Sequence, residues 1–327
     1  MKNFYLFRSA AAVVLMSAAA LAQAQLITQR PVTLVVPYPA GGPLDNAARI
    51  LAEKVRSSLD TTVVVDNKPG AGGNIGVAGV SKAVPDGHTI VMGAVATHAV
   101  NPWLFPKMPY DALKDFTPIT LVAQVPNVLV ISADTSKRLG IKTTKDLIAY
   151  VQKNPGKLNY ASGGNGSAGH LSGELFKGLA KLFMVHIPYA GAAPAQLSVL
   201  SGQTDLMFDN LASASANIKA GKLVALGVTT SQRSDSLPGV PSINEQLPGF
   251  EISTWFGLFA PANLPKATLD QLHKAFASAM ASPDVIEKFA RMSAVPSPTT
   301  PAQFDAFVRK EHDAYGKLIA RASIKLE

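Results

Sequence analysis

The sequence predicts an α/β protein of two lobes, each built on a parallel sheet. Three observations carry that prediction. From Pro31 onward, short β-branched runs alternate with segments whose apolar residues recur at helical spacing. This alternation breaks once, at an overlong apolar stretch, and then starts again. The same corner, strand then glycines then helix, occurs in both series. The roughly 300 residues that would remain after the N-terminal leader also suit two domains of ordinary size better than one.

The elements follow in order. VTLVVPY (32–38) is a nearly unbroken β-branched run, as a strand buried on both faces should be. Behind it Ala48, Leu51, Val55 and Leu59 make one apolar helical stripe. TTVVVDN (61–67) is the second strand, GGNIGVAGVSKA (72–83) a helix of small residues, and HTIVMG (88–93) the third strand. Such a β-α-β-α-β series implies parallel pairing with right-handed crossovers. A proline-rich stretch (101–118) interrupts it. ITLVAQVPNVLVIS (119–132) is too long for one plain strand and holds Pro126, so it reads as the connection into a second lobe.

The second series then unfolds. A helix after Thr144 carries Leu147, Ile148 and Val151; LNYAS is a strand; Leu171, Leu175, Leu179 and Leu182 line the next helix. MVHIPY (184–189), a helix with Leu197 and Leu200, TDLMFD (204–209), a helix around 214–220 and the return strand KLVALGVTT (222–230) complete it. Helices end the chain, with Ser282-Pro283 as N-cap and first-turn proline and Thr300 with Gln303 as a capping box. The expected division is a leader (1–24), lobe 1 (25–125), lobe 2 (126–228) and a return to lobe 1 (229–327).

The leader has Lys2 and Arg8, an uncharged apolar stretch Ala10–Leu21, and Ala22-Gln23-Ala24 as a peptidase site, so cleavage before Gln25 is expected. About a dozen apolar residues fall short of the roughly 18–20 that a spanning helix needs. Losing Lys2 and Arg8 lowers the net charge of +8 by two. The chain has no cysteine, which excludes disulfides, thiolate chemistry and a lipidated cysteine, and points to a freely soluble exported protein. Lys and Arg are scattered, with no basic helix and no aromatic interleaving, so no nucleic-acid partner is expected; anionic solutes are the class that the charge favours.

The corner in lobe 1, VPYPAGGPLDNAARI (36–50), is the first candidate site. It is neither a P-loop, since no lysine follows Gly41-Gly42 before Lys54, nor a Rossmann turn, since G-x-G-x-x-G is absent. What remains is a helix start whose first N–H groups, at 42–45, lack intrahelical partners and suit a carboxylate. Asp45 fits the first turn as a cap or dipole partner. NYASGGNGSAGHLSGEL (159–175) repeats the corner and adds Ser162, Asn165 and Ser167 as donors; IPYAGAAPAQL (187–197) is a third version. Ligands of open parallel sheets sit beyond the carboxyl ends of the strands, so loops from two lobes facing each other make a clamp.

Other chemistries are weaker. A serine hydrolase would use Ser167 with His170 as base, but Asn165 spoils G-x-S-x-G, and a histidine three residues along the same helix is badly placed. The six histidines show no metal-ligand spacing, and no metal, cofactor or catalytic residue is expected. Asp209-Asn210, at a strand's carboxyl end, would either take a ligand ammonium or water, or cap the helix LASASANI.

Six segments in order, VPYPAGGPLDNAAR, VVDNKPGAGGNIG, PDGHTI, YASGGNGSAGHLSGELF, IPYAGAAPAQLSVLSGQTDLMFDN and RSDSLPGVPSINEQLPGFE, resemble the Bug-type periplasmic solute receptors of tripartite tricarboxylate transporters. The resemblance covers essentially the whole mature chain. It implies a type II periplasmic-binding-protein fold, two α/β lobes joined by a two-strand hinge, that holds a ligand carboxylate through backbone amides and ordered waters. The residues carried over are Tyr38, Ala40, Gly41, Gly42 and Asp45 in the first loop, with Ala96, Thr97 and His98 after the third strand. From lobe 2 come Ser162, Gly163, Asn165, Ser167 and His170, with Tyr189, Ala190, Gly191 and Asp209 beside them. The implied partners are a small carboxylate and the large and small membrane components of a permease, for a receptor expected to be monomeric; a sensor subunit for a membrane kinase is the alternative. Leu44 stands where the family often has Thr or Ser, and Ala190 where it often has Lys. Both changes favour a ligand with one or two carboxylates and a less polar body over a citrate-like polyanion.

Overall fold

The computed structural model describes residues 30–292 and 294–322; the expected leader and its cleavage point lie outside them. Strand β1 (Val32–Val36) is followed by α1 (Pro43–Leu59), β2 (Val63–Asn67), α2 (Asn74–Ser81) and β3 (Thr89–Ala94). β1 pairs in parallel with both β2 and β3, as the β-α-β-α-β series requires. Alternate residues of β1 serve opposite faces: Leu34 and Val36 join one apolar cluster and Val35 the other, all nearly inaccessible. α1 turns Leu51, Val55 and Leu59 onto the first of these clusters. Each buried aliphatic side chain there contributes about 1.5–3 kcal/mol.

The second series has α5 (Thr144–Lys153), β5 (Asn159–Ser162), α6 (Ala168–Ala180), β6 (Val185–Pro188), α7 (Ala192–Leu200), β7 (Leu206–Asn210), α8 (Leu211–Lys219) and β8 (Leu223–Val228). Here α3 and α4 are the short helices Asn101–Leu104 and Ala133–Leu139. β5 is parallel to β6 and β7.

One strand joins the halves. β4 (Phe116–Ser132) is a single 17-residue strand despite Pro126. Up to Pro126 it runs antiparallel to β9 (Ser253–Pro261); from Asn127 it runs antiparallel to β7 and β8. The half-sheets therefore have matching orders, β2-β1-β3-β9-β4 and β6-β5-β7-β4-β8. The overlong stretch is the crossing. The chain comes back beside it: Thr229 N–H donates to Asn127 O at 2.9 Å, and Ile252 N–H donates to Thr229 O at 3.0 Å. Residues 229–252 pack on the second half rather than returning at once, because Phe250 stacks on Phe208 and meets Phe176 edge-on, and Ser242 bridges to Val228.

The chain closes with α9 (Lys266–Met280), α10 (Pro283–Arg291), the two-residue β10 (Val295–Pro296) beside β4, and α11 (Pro301–Ala322). Thr300 and Gln303 form the expected capping box. Ser282 does not cap with its side chain; its hydroxyl donates back to Ala279 O at 2.6 Å.

Candidate functional site

After β1 the chain turns through Gly41, at φ 85°, to Gly42, the extended N-cap of α1. Asn46 N–H makes the first intrahelical bond, to Gly42 O at 3.0 Å, so the N–H groups of Leu44 and Asp45 have no partner within the helix. The Asp45 side chain fixes the turn. Its carboxylate accepts from Gly41 N–H at 2.8 Å, Arg49 Nε at 3.0 Å and Asn67 Nδ2 at 3.0 Å. Asn67 Nδ2 also donates to Tyr38 O, and Arg49 Nη2 to Asn67 Oδ1. Burial pushes the Asp45 carboxyl up, but the bonds from Arg49, Gly41 and Asn67 outweigh it and hold it below the usual range.

Two more helix starts face this corner. At α6, Ser167 is the N-cap: its Oγ accepts from His170 N–H at 3.2 Å, and Leu171 N–H makes the first helical bond to Ser167 O. At α7, Gly191 is the N-cap and Ala195 N–H makes the first helical bond. The amides of Ala168, Gly169, Ala192 and Ala193 are thus left without helical partners. The three starts enclose a cavity of about 110 Å³. Tyr38, Ala40, Gly42, Leu44 and Asp45 line it from the first half, and Gly163, Ser167, Gly191 and Asp209 from the second. Phe208, Phe256 and Met207 give it an apolar floor. No lysine or arginine is in its wall.

Nine other sequence-predicted residues lie off this wall. The amide of Gly41 is taken by Asp45. Ala96, Thr97 and His98 sit in a buried π-helical turn instead of facing the ligand space. There Thr97 Oγ1 accepts from Ala94 N–H, and His98 stacks on Phe259 with ring centroids 3.8 Å apart. Burial lowers the His98 pKa to about 3, so the ring is neutral. Ser162 is buried and its Oγ lies 2.6 Å from His186 Nε2, within the second half. His170 accepts from Gly166 N–H and stacks on His186, which keeps its ring away from both the cavity and the Ser167 hydroxyl. No Ser–His dyad forms between Ser167 and His170. Asn165, Tyr189 and Ala190 line a neighbouring hollow of about 340 Å³ that shares Tyr38 and Gly163 with the first.

Asp209 reaches the wall but is engaged by its own half. Oδ1 accepts from Asn210 N–H at 2.7 Å and from the Ser213 hydroxyl, and Oδ2 accepts from Gln196 Nε2 at 2.7 Å. Burial raises its pKa to about 6 against the pull of those bonds. The capping of α8 falls to Asn210, whose Oδ1 accepts from Ala212 N–H.

Sequence reasoning missed Asn127 and Thr254, the polar residues that the crossing strands bring to the cavity. Asn127 Oδ1 accepts from Thr254 Oγ1 at 2.8 Å and from Asn210 Nδ2 at 3.5 Å, while Asn127 Nδ2 donates to no described group. The signal was the proline-flanked asparagine in the overlong stretch, a polar residue in an otherwise apolar run.

A two-lobed α/β chain with matched half-sheets, paired crossings and a cavity between facing helix starts is a solute-binding protein of the type II periplasmic class. Residues 47–324 match the TctC family model, described as the tripartite tricarboxylate transporter family receptor, and the chain belongs to that family. Three solved structures are closely similar. The periplasmic binding protein BugD is 35% identical with a TM-score of 0.86, over 91% of this chain and 99% of that one. Rpa4515 of R. palustris, solved with adipate, is 34% identical with a TM-score of 0.86, over 91% and 99%. MatC (Rpa3494) of Rhodopseudomonas palustris, with bound malate, is 31% identical with a TM-score of 0.84, over 89% and 99%. Among the described residues no helix is long and apolar enough to cross a membrane.

Proposed function

We propose that this protein is exported, captures a small carboxylate in the 110 Å³ cavity and delivers it to a tripartite tricarboxylate-type permease. The observation that supports this reading best is the convergence of three helix starts, at Gly42, Ser167 and Gly191, on one cavity without a cationic side chain. Unpaired amides at the positive ends of helices suit an anion. The bonds that they make to a carboxylate contribute about 1.5–3 kcal/mol each. A few of them reach the −8 kcal/mol or so of a micromolar complex after ordering costs. The apolar floor suits a ligand with one or two carboxylates and a hydrocarbon body, the class to which the adipate of Rpa4515 belongs.

Capture, in this reading, is a population shift. Amides of α1 take the carboxylate in the open form, and α6 and α7 complete its coordination as the second lobe swings in. The permease then meets only the closed shape. A thermal-shift series on residues 25–327 with mono-, di- and tricarboxylates tests the binding step. Stabilisation that grows with concentration is expected for a C4–C6 dicarboxylate, about 2.7 kcal/mol at a hundred times Kd. No response to any carboxylate would sink the reading.

A further inference from the structure

Every side-chain carboxylate or amide oxygen in the cavity wall already has donors. Asp45 takes Gly41 N–H, Arg49 and Asn67; Asp209 takes Asn210 N–H, Ser213 and Gln196. Asn127 Oδ1 takes Thr254 and Asn210, and Asn210 Oδ1 takes Ala212 N–H. Left without a hydrogen-bond acceptor are the amides of the three helix starts, the Ser167 hydroxyl proton and Asn127 Nδ2, so the wall's unmet side-chain and helix-start groups are mostly donors. The neighbouring side chains of Phe208, Phe256 and Leu44 supply no hydrogen-bond acceptor for an ammonium group.

From this one-sided wall we infer that the receptor discriminates by hydrogen-bond polarity: it takes carboxylates whose other polar groups are acceptors only, rejects their α-amino counterparts, and uses Asn127 as the specificity-determining residue. The inference rests on the carboxylate-receptor reading above. A keto, carboxylate or ether oxygen beside the Asn127 amide gains a bond. An ammonium there faces an N–H group and loses its water without replacement, which a buried charge does not tolerate. Rejection therefore comes from an unmet donor on the ligand, a stronger discriminator than size. Asn127 also sits on the crossing strand, where its backbone bonds to Thr229, so the bond that reads the ligand is made at the hinge itself.

Matched ligands test this by calorimetry on the mature wild-type protein: glutarate, 2-oxoglutarate and L-glutamate, then adipate and 2-aminoadipate. The acids and the keto acid are expected to bind at least about 100-fold more tightly than the amino acids of the same length. In Asn127→Asp, which exchanges the donor for an acceptor of nearly the same shape, that ratio should fall at least about tenfold. Equal affinity for glutarate and glutamate in the wild type overturns the inference and leaves the carboxylate receptor standing. So does an unchanged ratio in a folded Asn127→Asp protein. Should that variant fail to fold, the wild-type pairs decide alone. Binding of none of the acids overturns the receptor reading, and this inference with it.

Discussion

Gly42 is where a single side chain should separate binding from folding. Its φ of −81° is open to any residue, and the nearest atom to an added Cβ is Pro39 O at 3.7 Å, so the backbone accepts the Cβ of Gly42→Val without strain. The branched side chain would stand where a carboxylate must approach the α1 amides. The expected result is an unchanged melting curve with binding weakened by about 100-fold or more, read by calorimetry. Retained affinity would place the ligand elsewhere. Asp45 works the other way, since its buried carboxylate holds the turn together. Asp45→Ala should cost about 1–3 kcal/mol, a figure kept low because half-exposed Arg49 can return to water. The Asp45 pKa is held below its ordinary 3.8, so its contribution is present above pH 4 and vanishes as pH falls through the lowered value. A urea series at pH 3 and pH 6 should find the variant's deficit smaller at pH 3 than at pH 6. A deficit equal at both would show that the carboxylate's charge is not what holds the turn.

At the scale of elements, Asp209 joins β7 to α7 through Gln196 and to α8 through Ser213. Gln196 continues the chain to Asn217 on α8 at 2.6 Å. Because burial lifts the Asp209 pKa to about 6, the native state favours the protonated form. The resulting stability is complete below the ordinary carboxylate value and is lost as pH rises through 6. The wild-type melting temperature minus that of Asp209→Asn should therefore decline between pH 4 and pH 7; a flat difference would mean that the carboxyl titrates normally. The element scale is also where the sequence was most informative. β1 and β3, and again β5 and β7, stand out as β-branched or apolar runs, because burial on both faces leaves no polar alternation to blur them; β2 and β6, at the sheet's edges, are only partly buried. Side-chain direction was not legible. Ser162 and His170 lie in the expected corner, yet they turn inward to pair through His186, a residue sixteen positions beyond His170. Nor does a linear pattern reveal that Asn127 and Thr254, 127 residues apart, meet at the cavity.

Across the whole molecule the two halves touch at points where only glycine fits. A methyl group built on Gly166, in the second half, would collide with Asn101 Oδ1 of the first. One built on Gly72, in the first half, would lie 2.8 Å from Asn165 O of the second. Asn101 is itself fixed in place, since its Nδ2 donates to Gly72 O and to Asn74 Oδ1. In the proposed closure these contacts form only as the two halves meet, so a side chain there burdens mainly the closed form. Gly166→Ala and Gly72→Ala should each weaken ligand binding by about tenfold or more by reducing the closed population. Both positions have positive φ, 79° and 64°, so a control must carry the same backbone strain without the contact. Gly140→Ala serves, with φ 68° and open space around the added methyl. All three variants should lose similar unfolding stability, but only the first two should lose affinity and fail to compact on ligand addition in small-angle scattering. If Gly140→Ala weakened binding as much as they do, strain and not closure would be the cause, and the glycine pair would have no part in closing the cleft.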